Sequence, residues 1–271
     1  MRSKKLIIQV YSDIHIEIWN KVPEIPVKAK YLFLAGDICP LHHNLFFQFF
    51  DYCSLNWEKT FYTPGNHEFY SKKRNYGELD FEYNLKLNER YKNVYYLNDD
   101  SVSLNEDFNV YGSVFWTKPP FVSTVQARNS INDYNWITYF NKSRGHVVNL
   151  DISYVKELSE TAHSKLQKYL NETDDKNTII ITHFPPIKSG TSNPKYSEEK
   201  KVENLYFSWP DTTIDNLNLS NVPVWISGHT HWSYKIERNG CTFIGNQLGY
   251  KNEVGKTGLK EDGDYEIETI F

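Results

Sequence analysis

Five short stretches of this 271-residue chain bring together side chains that bind metal ions. They are Asp13-Ile14-His15, Gly36-Asp37, Gly65-Asn66-His67-Glu68, His183, and Gly228-His229-Thr230-His231. Carboxylates, imidazoles and a carboxamide are oxygen and nitrogen donors that suit manganese, iron, zinc or nickel, and the residues alone do not choose among these. Taken singly, each stretch is an ordinary solvated or capped turn. Taken together they hold five of the nine histidines, and each follows an apolar run.

Those runs are the elements that must position the donors. "KLIIQVYSD", "AKYLFLAGD", "EKTFYTPGNH", "NTIIITHFPP" and "VPVWISGHTH" each read as a buried strand ending in a loop. Pro64 and Gly65 break the third. Between the second and third, Leu45, Phe46, Phe49, Phe50 and Cys53 keep helical spacing. Residues 151–170 form the clearest helix, with Asp151 as its cap and Val155, Leu158, Ala162, Leu166 and Tyr169 as one stripe. Strands alternating with helices predict an α/β fold. In such a sheet the loops at the carboxyl ends of the strands converge on one rim, so clusters distant in sequence meet in space. Near the C-terminus "WSYKIERNGCTFIG" predicts a hairpin turning at Asn239-Gly240, and "DYEIETIF" a closing strand. Residues 113–148, rich in Trp, Tyr, Asn and Pro, have no clean period and read as a cap inserted into a single domain spanning 1–271.

With 39% hydrophobic and 16% aromatic residues the chain can bury a sizeable core. A net charge of −4 and no basic stripe argue against a nucleic-acid polymer as partner. Cys39, Cys53 and Cys241 lack CxxC spacing and fit a reducing compartment. The apolar run near the start is short and meets Asp13 without a small-residue cleavage pattern, so no leader is expected. No apolar stretch is long enough for a membrane span, and the expected location is cytoplasmic.

The order D-x-H, G-D, G-N-H-E, H, G-H-x-H resembles the calcineurin-like metallophosphoesterase superfamily, across residues 13 to 231. The Glu after GNH and the late GHxH are similar to the class III cyclic-nucleotide phosphodiesterases. The resemblance implies a four-layer α/β/β/α sandwich and two divalent metal ions, manganese first, with iron, zinc or nickel as alternatives. It implies that Asp13, His15 and His231 hold one ion, that Asn66, His183 and His229 hold the second, and that Asp37 bridges them. Two ions bring +4 and the two aspartates −2, so a bridging hydroxide leaves about +1, a site that attracts a phosphate oxygen. His67 would act as proton donor to the leaving oxygen or as a stabiliser of the phosphoryl oxygens. Glu68 either supports the ligand loop or is a charge at a helix start.

The match departs in one place. Relatives often continue G-D-x-x-D, where the second Asp orients the catalytic His. Here "GDICPL" has Pro40 there, and Leu41 replaces the Arg that protein phosphatases carry next. His67 therefore lacks that carboxylate or takes one from elsewhere, and protein phosphatase activity is disfavoured. In the cap, Trp116, Asn132, Asp133, Tyr134 and Trp136 either contact substrate or pack on one another. His42, His43, His146 and His163 are not expected as ligands, and Lys72-Lys73-Arg74 reads as a solvated run. The leading expectation is a phosphodiesterase cleaving a small, nucleotide-type phosphodiester by a metal-bridging hydroxide. A phosphomonoesterase, a nuclease, or a metal-binding scaffold that kept only the fold are the alternatives. The expected partner is a small phosphorylated substrate.

Overall fold

A computed structural model describes residues 3–120, 123–173, 176–196 and 207–270. The apolar runs become strands whose alternate residues face two different cores. In β2 (Tyr31–Ala35), Leu32 and Leu34 enter one core, and Phe33 and Ala35 another. β1 (Ser3–Tyr11) and β3 (Lys59–Thr63) flank β2 in parallel, β4 (Val94–Tyr96) follows β3, and β13 (Asp264–Ile270) closes antiparallel on β1. This gives a five-stranded sheet of order β13-β1-β2-β3-β4.

A second sheet has six strands. They are β5 (Asp100–Ser103), β6 (Phe108–Ser113), β9 (Asn177–Thr182), β10 (Val224–Ile226), β11 (Tyr234–Arg238) and β12 (Cys241–Gly245), in the order β11-β12-β10-β9-β6-β5. Ile8, Val10, Phe33 and Phe61 of the first sheet meet Ile179, Ile181, Val224 and Ile226 of the second in one dry cluster. Full burial of each such side chain contributes about 1.5–3 kcal/mol. On the outer faces, α2 (Phe46–Asn56) and α3 (Tyr76–Arg90) pack on Leu32, Leu34 and Tyr62, and α6 (Ile152–Glu172) on Ile180, Trp225 and Phe243. The result is the expected helix–sheet–sheet–helix layering.

The local signals account for the ends of these elements. Asp151 caps α6, its Oδ1 accepting from Tyr154 N at 2.9 Å. Asn239 and Gly240 take φ of 52° and 78° between β11 and β12, as a two-residue turn of the primed type requires. The expected cap contains α4 (Thr124–Ser130), α5 (Asp133–Trp136) and a separate hairpin of β7 (Thr138–Asn141) with β8 (His146–Asn149). Among the described residues, no helix is long and apolar enough to cross a membrane.

Candidate metal centre

β1, β2, β3, β9 and β10 each release a donor-bearing loop at the carboxyl end, and the loops are tied by backbone hydrogen bonds. Asp13 N donates to Gly36 O and His15 N to Asp37 O, both at 3.0 Å. Gly228 N donates to His183 O at 2.9 Å. The side chains add further ties, with His67 N donating to Asp37 Oδ1 and His229 N to Asp13 Oδ1, each at 2.9 Å. Asp13, His15, Asp37, His229 and His231 all have positive φ, between 50° and 72°. Non-glycine residues rarely adopt that conformation, and strain of this kind gathers at functional sites. Gly36 has φ of 81°, and a Cβ there would lie 2.5 Å from His183 Nδ1, so the close approach of the loops excludes a side chain.

Hydrogen bonds at the rear of His15, His231, His183 and Asn66 fix which atom points inward. Glu17 Oε1 lies 3.1 Å from His15 Nδ1, and Glu253 Oε2 2.6 Å from His231 Nδ1. Carboxylate oxygens only accept, so both Nδ1 atoms donate, and the two Nε2 atoms meet at 3.1 Å. His183 Nδ1 donates to Ala35 O at 2.9 Å, leaving its Nε2 lone pair 2.9 Å from Asn66 Oδ1. That oxygen faces inward because Asn66 Nδ2 donates to Asp133 Oδ1 at 2.8 Å. His229 Nδ1 stands 3.2 Å from both. Acceptors this close repel unless something positive sits between them. A cation bound at about 2.1 Å by two donors at right angles holds them about 3.0 Å apart, so the donor set and its spacing fit metal ions.

Asp37 stands between the two groups. Its Oδ1 is 3.4 Å from His183 Nε2, and its Oδ2 is 3.9 Å from His15 Nε2. His231 Nε2 is 3.5 Å from Asp13 Oδ1. Two donor groups result, Asp13–His15–His231 and Asp37–His183–His229, with Asn66 beside the second. His15, Asp37 and His67 also bring donor atoms within 4.8 Å of one another.

The electrostatics of the cluster call for positive charge. Burial pushes the Asp13 carboxyl up to about 6 and Asp37 well above the usual carboxylate range. Burial holds His15 and His183 down to about 3. Burial also lowers His231, but Glu253 and Asp13 override it and its shift is upward. Since bound ions displace the protons of Asp13 and of His231, whose shift is upward, affinity must fall with acidity, most steeply below about pH 6. Calorimetric titration with Mn²⁺ between about pH 5 and about pH 8 should show weakening that exceeds about tenfold per unit at the acid end. An affinity independent of pH would contradict this.

The surrounding residues divide into those the sequence marked and those it did not. Glu68 is fully buried, and its two oxygens accept from Asp37 N, Ile38 N, Gly65 N and Tyr62 Oη at 2.8–2.9 Å. It supports the ligand loops and is not merely a charge at a helix start. Glu68→Ala would leave three buried N–H groups unpaired, a loss of about 3 kcal/mol or more readable in urea unfolding. Asp133 reaches Asn66 and Tyr70, whose Oη donates to it at 2.7 Å. Asn132 is exposed and lines the cavity over the cluster. Trp116 and Tyr134 are buried in the core, and Trp136 is half exposed with Lys72 Nζ 4.4 Å from its ring. Arg74 pairs with Glu82. Thr230 turns away, its Oγ1 donating to Thr191 O at 2.6 Å.

His67 faces the cavity, its ring stacked on Tyr70 at 4.3 Å. Its Nδ1 lies 3.2 Å from Glu17 Oε1 and its Nε2 3.3 Å from Tyr250 Oη. The carboxylate partner that Pro40 does not supply therefore comes from Glu17. Sequence reading passed over Glu17, Tyr70, Tyr250 and Glu253. A carboxylate two residues after His15 was the one available signal. His146 is exposed and His163 packs 5.7 Å from Trp209.

Residues 8–233 match the sequence model of the calcineurin-like phosphoesterases. A protein of Acanthamoeba polyphaga mimivirus named "Uncharacterized protein L509" is 27% identical over 273 residues, covering 91% of this chain and 92% of that one. Among solved structures, phosphopantetheinyl hydrolase from Mycobacterium tuberculosis superposes with a TM-score of 0.69 at 15% identity, covering 98% of this chain and 96% of that one. At that identity the likeness shows the fold alone.

Proposed function

This chain belongs to the calcineurin-like phosphoesterase family, and from that premise we propose that it is a dinuclear metal-dependent phosphodiesterase acting on a small phosphodiester. The observation that carries the reading is the inward convergence of acceptor atoms, His15 Nε2 on His231 Nε2 and His183 Nε2 on Asn66 Oδ1. Asp13, His15 and His231 would hold one ion, Asn66, His183 and His229 the other, and Asp37 both, with manganese the first choice. Bound there, such ions lower the pKa of a coordinated water and draw charge from the phosphoryl oxygens. The chain's own residues do the rest. Asp37 keeps the two donor groups in register. His67, with a hydrogen on each ring nitrogen and its Nδ1–H held by Glu17, gives the Nε2 proton to the leaving oxygen as the P–O bond breaks and is left neutral. Tyr250 Oη orients that nitrogen and closes the cavity over it.

The choice of a diester rests on the cavity. It measures about 380 Å³ and is walled by Ile131, Tyr196, Phe207 and Tyr250 as well as by the ligands. Among the described residues that line it there is no Lys or Arg. Against those described residues alone, a monoester dianion would have only the ions to meet its extra charge, whereas a diester carries one negative charge and a second organic group for the aromatic wall. A cytoplasmic location is part of this reading, since Cys39, Cys53 and Cys241 are all buried and free.

The test is turnover by Mn²⁺-loaded protein of bis(p-nitrophenyl) phosphate against p-nitrophenyl phosphate. Faster cleavage of the diester is expected. Cleavage of the monoester alone would replace the diester reading, and no cleavage of either would favour a scaffold. Cyclic nucleotides, dinucleotides, nucleotide-sugar diphosphates and phospholipid headgroups then narrow the substrate. The phosphopantetheinyl hydrolase neighbour adds a phosphopantetheinyl ester to that set.

A further inference from the structure

Resting on this phosphoesterase reading, we infer that Glu17 is a positioning residue whose single carboxylate oxygen aims both His15 and His67. Glu17 lies in the first turn of α1 (Ile16–Trp19), directly after the left-handed His15 at φ 50°. That turn folds its side chain back over the loop. Oε1 is 3.1 Å from His15 Nδ1 and 3.2 Å from His67 Nδ1, and the two rings meet edge to face with centroids 4.6 Å apart. The carboxylate is largely enclosed, with 19% of its side chain exposed.

One acceptor thus fixes a hydrogen on two Nδ1 atoms. Because the oxygen cannot donate, each Nδ1 carries a hydrogen. His15 then presents the Nε2 lone pair to the other metal-binding side chains, and His67, as the proton donor, presents a second hydrogen on Nε2 to the cavity beside Tyr250 Oη. Carboxylates behind ligand imidazoles hold ring orientation and raise donor strength. Here the same oxygen serves a ligand and the proton donor, so the spacing between cluster and leaving group is set by one side chain. Pro40, in the loop after β2, brings no carboxylate to this ring, and α1 supplies it from the loop after β1.

The test compares wild type, Glu17→Gln, Glu17→Asp, His67→Ala and Glu17→Gln/His67→Ala under saturating Mn²⁺. The substrates are aryl methyl phosphodiesters whose leaving phenols span nitrophenol to unsubstituted phenol. Poor leaving groups need a well-aimed proton donor and good ones do not. Glu17→Gln should cost roughly threefold in kcat with nitrophenol and about 10²-fold with phenol, following the trend of His67→Ala. The double variant should be no worse than His67→Ala alone. Mn²⁺ affinity should also fall, by about 10–100-fold. Glu17→Asp, with its charge kept and one methylene less reach, should recover part of the phenol loss, and it carries the same readout if the Gln variant does not fold. A loss equal across the series, or one that adds fully to His67→Ala, would overturn the role of Glu17 while leaving the hydrolase intact. A wild type that cleaves none of the diesters would overturn both.

Discussion

Asp37→Asn is expected to lose at least about 10³-fold in kcat on a phosphodiester. Asp37 is 2% exposed and faces both donor groups, Oδ1 towards His183 and Oδ2 towards His15. An asparagine keeps the shape and tolerates the left-handed φ of 53°. Its Oδ1 can still accept from His67 N. What it removes is the charge and the second inward acceptor, because an amide nitrogen would now point at lone pairs. The fold should therefore survive. Burial and the neighbouring Glu68 and Asp13 carboxylates push the Asp37 carboxyl well up, so its ionised form is unfavourable without cations. The ion-free variant should melt no lower than wild type while binding Mn²⁺ far more weakly. Full activity in this variant would remove Asp37 from the centre.

His67→Ala is expected to lose about 10²–10⁴-fold in kcat while keeping its metal ions. Its Nδ1 is taken by Glu17, and its Nε2 looks past Asp37 Oδ2, 3.9 Å away, into the cavity. It stands beside the two donor groups, where the proposed reading makes it the proton donor. Because His15, Asp37 and His67 also cluster closely, the metal content of the variant decides between two roles. Retention of the ions with a rate loss that grows for poorer leaving groups marks a proton donor. Loss of an ion marks a ligand and would shift the proton-donor role to another group, with Tyr250 the nearest hydroxyl.

Much of the centre was legible because the physics that writes it is local. A buried strand must be apolar, and a ligand-bearing loop must follow it, so "YLFLAGD" and "IIITH" carry both messages in a few residues. The α2 and α6 stripes and the Asn239-Gly240 turn were readable for the same reason. The residues behind the ligands were not. Glu253 meets His231 from a loop whose segment, GYKNE, has no periodicity, and Tyr250 packs its ring 4.6 Å from His15 and 4.5 Å from His231. The β12 path alone brings them there. Trp116 and Tyr134 looked like substrate contacts by residue type, yet both pack in the core, because an aromatic ring buries apolar area wherever a wall needs filling. Asp133 was singled out for substrate, and its carboxylate accepts from Asn66 and Tyr70.

Crystals of the wild-type protein grown in Mn²⁺ and measured at the manganese edge test the centre most directly. Two anomalous peaks about 3.5–4 Å apart are expected, one among Asp13, His15 and His231, the other among Asn66, His183 and His229, with Asp37 touching both. An empty cluster, or a single peak that leaves either group of donors unused, contradicts it.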